Sequence, residues 1–166
     1  MSTDNSAPSE SQDFDFWIGT WTIRHRVLQN DGSWRDFDAR TTVVPDLDGV
    51  ILVEHWEGVC LLPWEGMVEP EVRKALSVRA YDPVDKQWHI HWIDTRGRKF
   101  IPVFSGGFTD GRGEFFADLP GGVRSRIVFR DITNESVVWE NAVEDAGEWK
   151  AIWVMEMYRE PGADTG

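Results

Sequence analysis

The chain has 166 residues and a formal net charge of −12, with ten tryptophans, nine phenylalanines, two tyrosines and one cysteine. That acidity disfavours nucleic-acid backbones and anionic membrane surfaces as partners, and a single cysteine excludes an internal disulfide framework or a cysteine zinc cluster. No apolar run approaches the ~18 residues of a membrane span and no signal-peptide pattern opens the chain, so a cytoplasmic setting is expected.

Residues 1–12, MSTDNSAPSESQ, are polar and Ser-rich and read as a disordered lead. A single domain is expected over 13–160, followed by a flexible tail over 161–166. The stretch 13–18 reads as a short helical turn with Asp13 as N-cap. Beyond it, two-residue alternation and β-branched or aromatic runs replace helical spacing. Turn signals such as Asn30-Asp31-Gly32, Asp48-Gly49, Asp82-Pro83, Asp110-Gly111 and Pro120-Gly121-Gly122 recur about every 10 to 15 residues. Cutting there predicts ten strands, near 18–28, 36–44, 50–57, 74–81, 87–94, 98–104, 113–118, 123–130, 135–142 and 148–158. A second irregular piece, 58–73, is rich in Pro, Glu and Trp. Hairpin-length connections imply an all-β, antiparallel up-and-down barrel of about eight to ten strands. A sandwich would need long crossings, and only 58–73 is long enough for one. A barrel of this size leaves room for one small ligand.

The segment Phe14-Asp15-Phe16-Trp17-Ile18-Gly19-Thr20-Trp21 has a mechanical reading. A short helical plug closes one end, Gly19 permits a sharp entry into the first strand, and Trp21 fills the floor. This Gly-x-Trp opening resembles that of lipocalins and their calycin relatives. More closely, the chain resembles a bacterial family of lipocalin-like barrels of unknown function. The matching positions are Phe14, Phe16, Gly19 and Trp21, then Asp48-Gly49, Glu54, Trp56 and Gly58, then Tyr81-Asp82-Pro83, Trp88, Trp92 and Asp94. The resemblance covers about 13–159 and implies the barrel rather than a chemistry. Haem-binding nitrobindin-like barrels share the opening but use a histidine near the C-terminus; the last histidine here is His91. Neither a cofactor nor a metal is expected. The tyrosine and arginine pattern of phenolic acid decarboxylases finds no match, and polyketide barrel cyclases are similar in size and tryptophan content only.

If Trp21 points inward, alternation places Ile23, His25 and Val27 inside and Thr22, Arg24 and Arg26 outside. His25 is then either a satisfied core histidine or an ionisable ligand contact. Glu54 shares a face with Leu52 and Trp56. Inside, it is either a structural carboxylate paired with Arg79, Arg124 or Arg126, or a general acid or base with a raised pKa. Along 86–92, Trp88, Ile90 and Trp92 share one face, and His89, His91 and Ile93 the other. The two histidines are open to three roles: structural, ligand-bonding or proton-transferring, or the start of a metal site. Arg126 either clamps a ligand carboxylate or belongs to a solvated outer face. Trp149, Trp153, Met155 and Met157 alternate with Ile152, Val154, Glu156 and Tyr158, so the last strand reads as apolar on both faces. Its outer face then needs cover from 58–73 or from a second copy, and a homodimer is expected. The loop carrying Cys60, Leu61, Leu62, Trp64 and Met67 is either a lid or a packed surface element.

The combined reading is a small hydrophobic or aromatic molecule bound in a Trp-lined cavity. Glu54, His89 and His91 are candidate catalytic groups, and Trp21, His25, Trp56, Tyr81, Arg126 and Trp139 candidate ligand contacts. If there is a reaction, it is a cofactor-free cyclisation, isomerisation or hydration of secondary metabolism. The alternatives are a non-catalytic carrier and a filled barrel serving interaction or assembly.

Overall fold

The computed structural model describes residues 9–162. Most of the predicted lead (1–8) and tail (163–166) lies outside the described residues. The described residues form ten strands, nine of them where predicted: β1 (Gly19–Leu28), β2 (Trp34–Asp46), β3 (Ile51–Cys60), β4 (Glu71–Asp82), β5 (Gln87–Asp94), β6 (Phe104–Thr109), β7 (Arg112–Leu119), β8 (Val123–Arg130), β9 (Ser136–Asp145) and β10 (Glu148–Arg159). Each pairs antiparallel with its sequence neighbours, and β10 returns to β1, closing the barrel. Closure leaves no edge strand for another chain to extend. Among the described residues no helix is long and apolar enough to cross a membrane.

The plug is built differently from the predicted helix. Two short 3-10 turns, Ser9–Gln12 and Asp15–Trp17, replace it. Phe14, not Asp13, occupies the cap position of the second, and no side chain caps it. What holds the plug is apolar packing. Phe14 is fully buried, with ring centroids 4.8 to 5.4 Å from Phe108, Trp88, Phe129 and Phe115. Burying such a ring contributes roughly 1.5–3 kcal/mol. Trp88 Nε1 also donates to the Glu10 carbonyl.

Three other boundaries differ for local reasons. The segment 98–104 is mostly loop, because the Asp94 carboxylate accepts from the backbone N–H groups of Arg96 and Gly97 and turns the chain. Pro102 then has no N–H for a ladder. β6 therefore starts at Phe104 and meets β5 over only three residue pairs. The irregular piece shrinks from 58–73 to 61–70, since β3 runs through Cys60 and β4 begins at Glu71.

The third difference is a bulge in β10. The register passes from Ala151↔Ala142 to Trp153↔Asn141, leaving Ile152 unpaired. One extra residue exchanges the faces. Trp153, Met155 and Met157 point inward, whereas Trp149 lies outside, against Phe116 and Arg126. On the outer wall Val128, Ala142 and Val154 are buried within the single chain, with Arg26, Arg126 and Glu140 as cross-strand partners. Long charged side chains cover apolar surface with their stems, so this strip does not require a second copy.

Trp21 is the inward floor residue expected, stacked on Trp17 at 5.1 Å. Arg159, at the end of β10, lies 4.3 Å from the Trp21 ring. It donates to the carbonyls of Phe16, Ile18 and Asn134. Gly19 has φ +130°, and a Cβ there would fall 2.5 Å from Arg159 Nη1. Glycine is thus required by both backbone conformation and space.

Arg159→Met is expected to lower stability by about 2–4 kcal/mol, since it removes a charged donor from three carbonyls. Gly19→Ala is expected to cost about 1 kcal/mol or more alone, and less in the Arg159→Met background where the clash is gone. Urea unfolding followed by tryptophan fluorescence measures all three variants.

Candidate functional site

The barrel interior is not filled. A cavity of about 670 Å³ runs from the plug to the loops at the opposite end and is touched by six of the ten tryptophans. Trp56 on β3, Trp92 on β5, Trp139 on β9 and Trp153 on β10 form its walls. Ile90, Ile127, Phe129 and Met155 fill the spaces between them. Trp153 meets Trp56 at 6.2 Å and Trp139 at 5.3 Å, both nearly perpendicular. Such edge-to-face corners present flat apolar surfaces to a guest.

Ladder register explains why these rings gather. Glu54 pairs with Ser77, and Ser77 with Trp92, so all three share the inner face. Glu54 is the buried carboxylate expected, and of the three arginines considered its partner is Arg79. Arg79 Nη2 donates to Glu54 Oε1 at 2.9 Å and to Ser77 Oγ at 3.0 Å. Thr41 Oγ1 donates to Glu54 Oε2 at 2.8 Å. The guanidinium is 3 % exposed and lies 4.7 Å from the Phe14 ring and 5.7 Å from that of Phe129. Burial pulls the Arg79 pKa below its usual value, and the Glu54 carboxylate opposes that shift. An arginine nonetheless keeps its proton in proteins, so the pair is an ionic clamp between the floor and the cavity wall.

A second polar group lies on the facing wall. Asn141 Nδ2 donates to Ser125 Oγ at 2.8 Å and to the Arg126 carbonyl at 3.1 Å. A third marks the mouth. Buried Arg73 binds Glu65 at 2.6 Å and Asp94 at 3.4 Å, tying the 61–70 loop to β4 and β5. Trp64, Phe100, Ile101 and Lys99 complete that end. Cys60 is buried below it, and desolvation raises its thiol pKa to about 11, so it is no nucleophile.

The candidate residues divide sharply. Glu54, Trp56 and Trp139 line the cavity. Trp21 lies in the floor beneath it. His25 is buried in the wall behind Trp153, whose Nε1 donates to His25 Nδ1 at 2.9 Å. Tyr81 is half-buried at the floor end, 5.8 Å from Trp88, and does not reach the cavity.

His89 and His91 face outward because Trp88, Ile90 and Trp92 take the inner face. His89 Nδ1 shares a hydrogen bond with Ser105 Oγ at 2.7 Å, and His91 is exposed. Arg126 also points outward, 3.7 Å from Glu140 and stacked over Trp149. These three therefore lie outside the cavity lining. Asp82, Asp85 and His89 bring potential ligand atoms within 4.8 Å of one another on the outer surface, but Asp82 Oδ1 already accepts from two backbone N–H groups. Sequence reading did not single out Asn141, Ser125, Ser77, Arg73 or Trp92 as site residues. Trp92 was legible through its register with Glu54; the others carry no motif.

No family model matches the chain, and no curated protein matches it. Among solved structures, it is similar to the S-type phycobiliprotein lyase CPES from Guillardia theta, at 9 % identity and a TM-score of 0.60. That match covers 95 % of this chain and 100 % of that one. A protein of unknown function from the DUF3598 family of Nostoc punctiforme aligns at 8 % identity, over 93 % of this chain and 100 % of that one, with a TM-score of 0.28. The fold is thus a closed ten-stranded antiparallel barrel, shared in outline with that lyase.

Arg79→Met is expected to cost about 3–5 kcal/mol by stranding the buried Glu54 carboxylate, whereas the double variant Glu54→Leu/Arg79→Met should cost far less than the sum of the singles. Chemical unfolding of the four proteins gives the coupling. A pH effect follows from His25. Desolvation lowers its folded pKa from 6.5 to about 4, with nearby backbone carbonyls and acidic groups working weakly against it. As pH falls, the unfolded chain binds the proton first. The His25 contribution is therefore complete above about pH 6.5 and declines toward pH 4, a loss of about 3 kcal/mol. His25→Phe is expected to flatten that part of the stability–pH curve, and NMR titration of the imidazole should show it mostly neutral down to about pH 5.

Proposed function

We propose that this protein binds a small, flat, apolar or aromatic molecule inside the barrel. The carrying observation is the cavity of about 670 Å³ walled by Trp56, Trp92, Trp139 and Trp153. That volume falls within the range of small-molecule sites, which are mainly apolar with a few placed polar groups. The lining fits this description: apolar side chains predominate, with Glu54, Arg79, Ser77, Ser125 and Asn141 in the walls and a charged cluster at the mouth as the polar minority. The neighbour of like fold is a phycobiliprotein lyase, which agrees with a ligand-holding barrel. The single buried thiol goes with a reducing, cytoplasmic setting.

Carriage is favoured over catalysis. Among the described residues Glu54 is the lining carboxylate away from the mouth, and both its oxygens are engaged by Arg79 and Thr41. His89 and His91, the other acid–base candidates, face outward. A cofactor-free cyclase, isomerase or hydratase is the second reading. It rests on Glu54 alone and on rings that would shape a conjugated substrate.

Titration with the neutral dye N-phenyl-1-naphthylamine is expected to quench tryptophan emission with transfer to the dye. Ile127→Trp, which fills the cavity from β8, should weaken binding about tenfold or more. Absence of binding to the wild type would refute the proposal, and undiminished binding to Ile127→Trp would place the dye elsewhere.

A further inference from the structure

The cavity also carries information about the kind of guest it takes, an inference that rests on the ligand-binding reading above. Asn141 projects from β9 into the cavity beside the Trp139–Trp153 corner, with Trp153 as its direct ladder partner. The Arg126 carbonyl accepts only, so the Asn141 amide must turn its NH2 toward it. Its second N–H goes to Ser125 Oγ. The Ser125 hydroxyl in turn donates to the Ala142 carbonyl at 3.2 Å. Both amide protons and the neighbouring hydroxyl proton are therefore spent on the wall. The remaining valence is Asn141 Oδ1, an acceptor with no partner in the described chain, unlike the sealed ring nitrogen of Trp56.

Charge narrows the class further. The charged residues lining the cavity are Glu54, Glu65 and Asp94 against Arg73, Arg79 and Lys99, three of each sign, and they cancel. Five of the six are already tied into the Glu54–Arg79 and Arg73–Glu65–Asp94 ion pairs. The sixth, Lys99, stands at the mouth, so an ionised guest seated deeper in the barrel would be desolvated without a free counter-charge beside it, which is costly. A carboxylate would also set acceptor against acceptor at Oδ1.

We infer that the cavity selects neutral, flat molecules bearing a hydroxyl or N–H donor, and that Asn141 Oδ1 accepts that hydrogen bond while the ring lies in the Trp139–Trp153 corner. Asn141 is a specificity residue in this assignment.

Three matched probes test it: 1-hydroxypyrene, 1-methoxypyrene and pyrene-1-carboxylate, each followed by energy transfer from tryptophan. For the wild type at neutral pH, 1-hydroxypyrene is expected to bind about tenfold tighter than 1-methoxypyrene, the scale of one buried hydrogen bond. The carboxylate should bind weakest. Asn141→Leu should bring the hydroxy-to-methoxy ratio close to one. Ser125→Ala should narrow the ratio by freeing one amide proton to serve an acceptor. If Asn141→Leu does not fold, the wild-type ratio and Ser125→Ala decide the matter. A wild-type ratio near one with all probes bound would overturn the inference and leave the cavity reading intact. So would a tightest-bound carboxylate, or a ratio that survives Asn141→Leu. No transfer to any probe would overturn both.

Discussion

Arg159 sits where the first and last strands of the barrel meet. Its guanidinium donates to Phe16 and Ile18 just before β1 and to Asn134 in the turn between β8 and β9, and it covers Trp21. β10 must reach β1 for that contact to exist, so barrel closure and floor closure are one event. The aromatic plug can then pack as a floor, and Arg79 rests on that floor through Phe14 and Phe129. Glu54 is in turn held by Arg79. The cavity wall is thus anchored, link by link, to the residue that ends the last strand.

Much of this was legible from local pattern. Gly19 and Trp21 announced the plug and the inward face of β1, and alternation from Trp21 placed Ile23, His25 and Val27 correctly inside. The buried Glu54 and its arginine partner followed from the cost of an unpaired charge. Where the reading failed, the cause was information that a two-residue period does not carry. The bulge at Ile152 exchanges faces within β10, so Trp149 and Trp153, four residues apart, end on opposite sides of the wall. Asp94 and Pro102 turn an apparent strand into loop. His89 and His91 needed a choice of face, and only the register Glu54↔Ser77↔Trp92 makes it.

Composition takes on a different meaning once the faces are assigned. The net charge of −12 belongs to the exterior, while the charges lining the cavity cancel. The interior is therefore close to electrically neutral in a strongly acidic molecule, and its charged side chains are mostly paired with one another. Asn141 matters because pairing with the wall consumes its donors and leaves its acceptor. That asymmetry could not be read from a lone asparagine in a strand.

β5 and β6 are joined over only three residue pairs, with the 95–103 loop closing the remainder of that side. Elsewhere the belt of backbone hydrogen bonds is long. Opening the short seam breaks few bonds and leaves the plug and the Arg159 contacts in place. Local opening of this kind costs far less than global unfolding. The first part of the wall to open is then this seam, so amide exchange in β6 should outpace that in the long-paired strands β1 to β4.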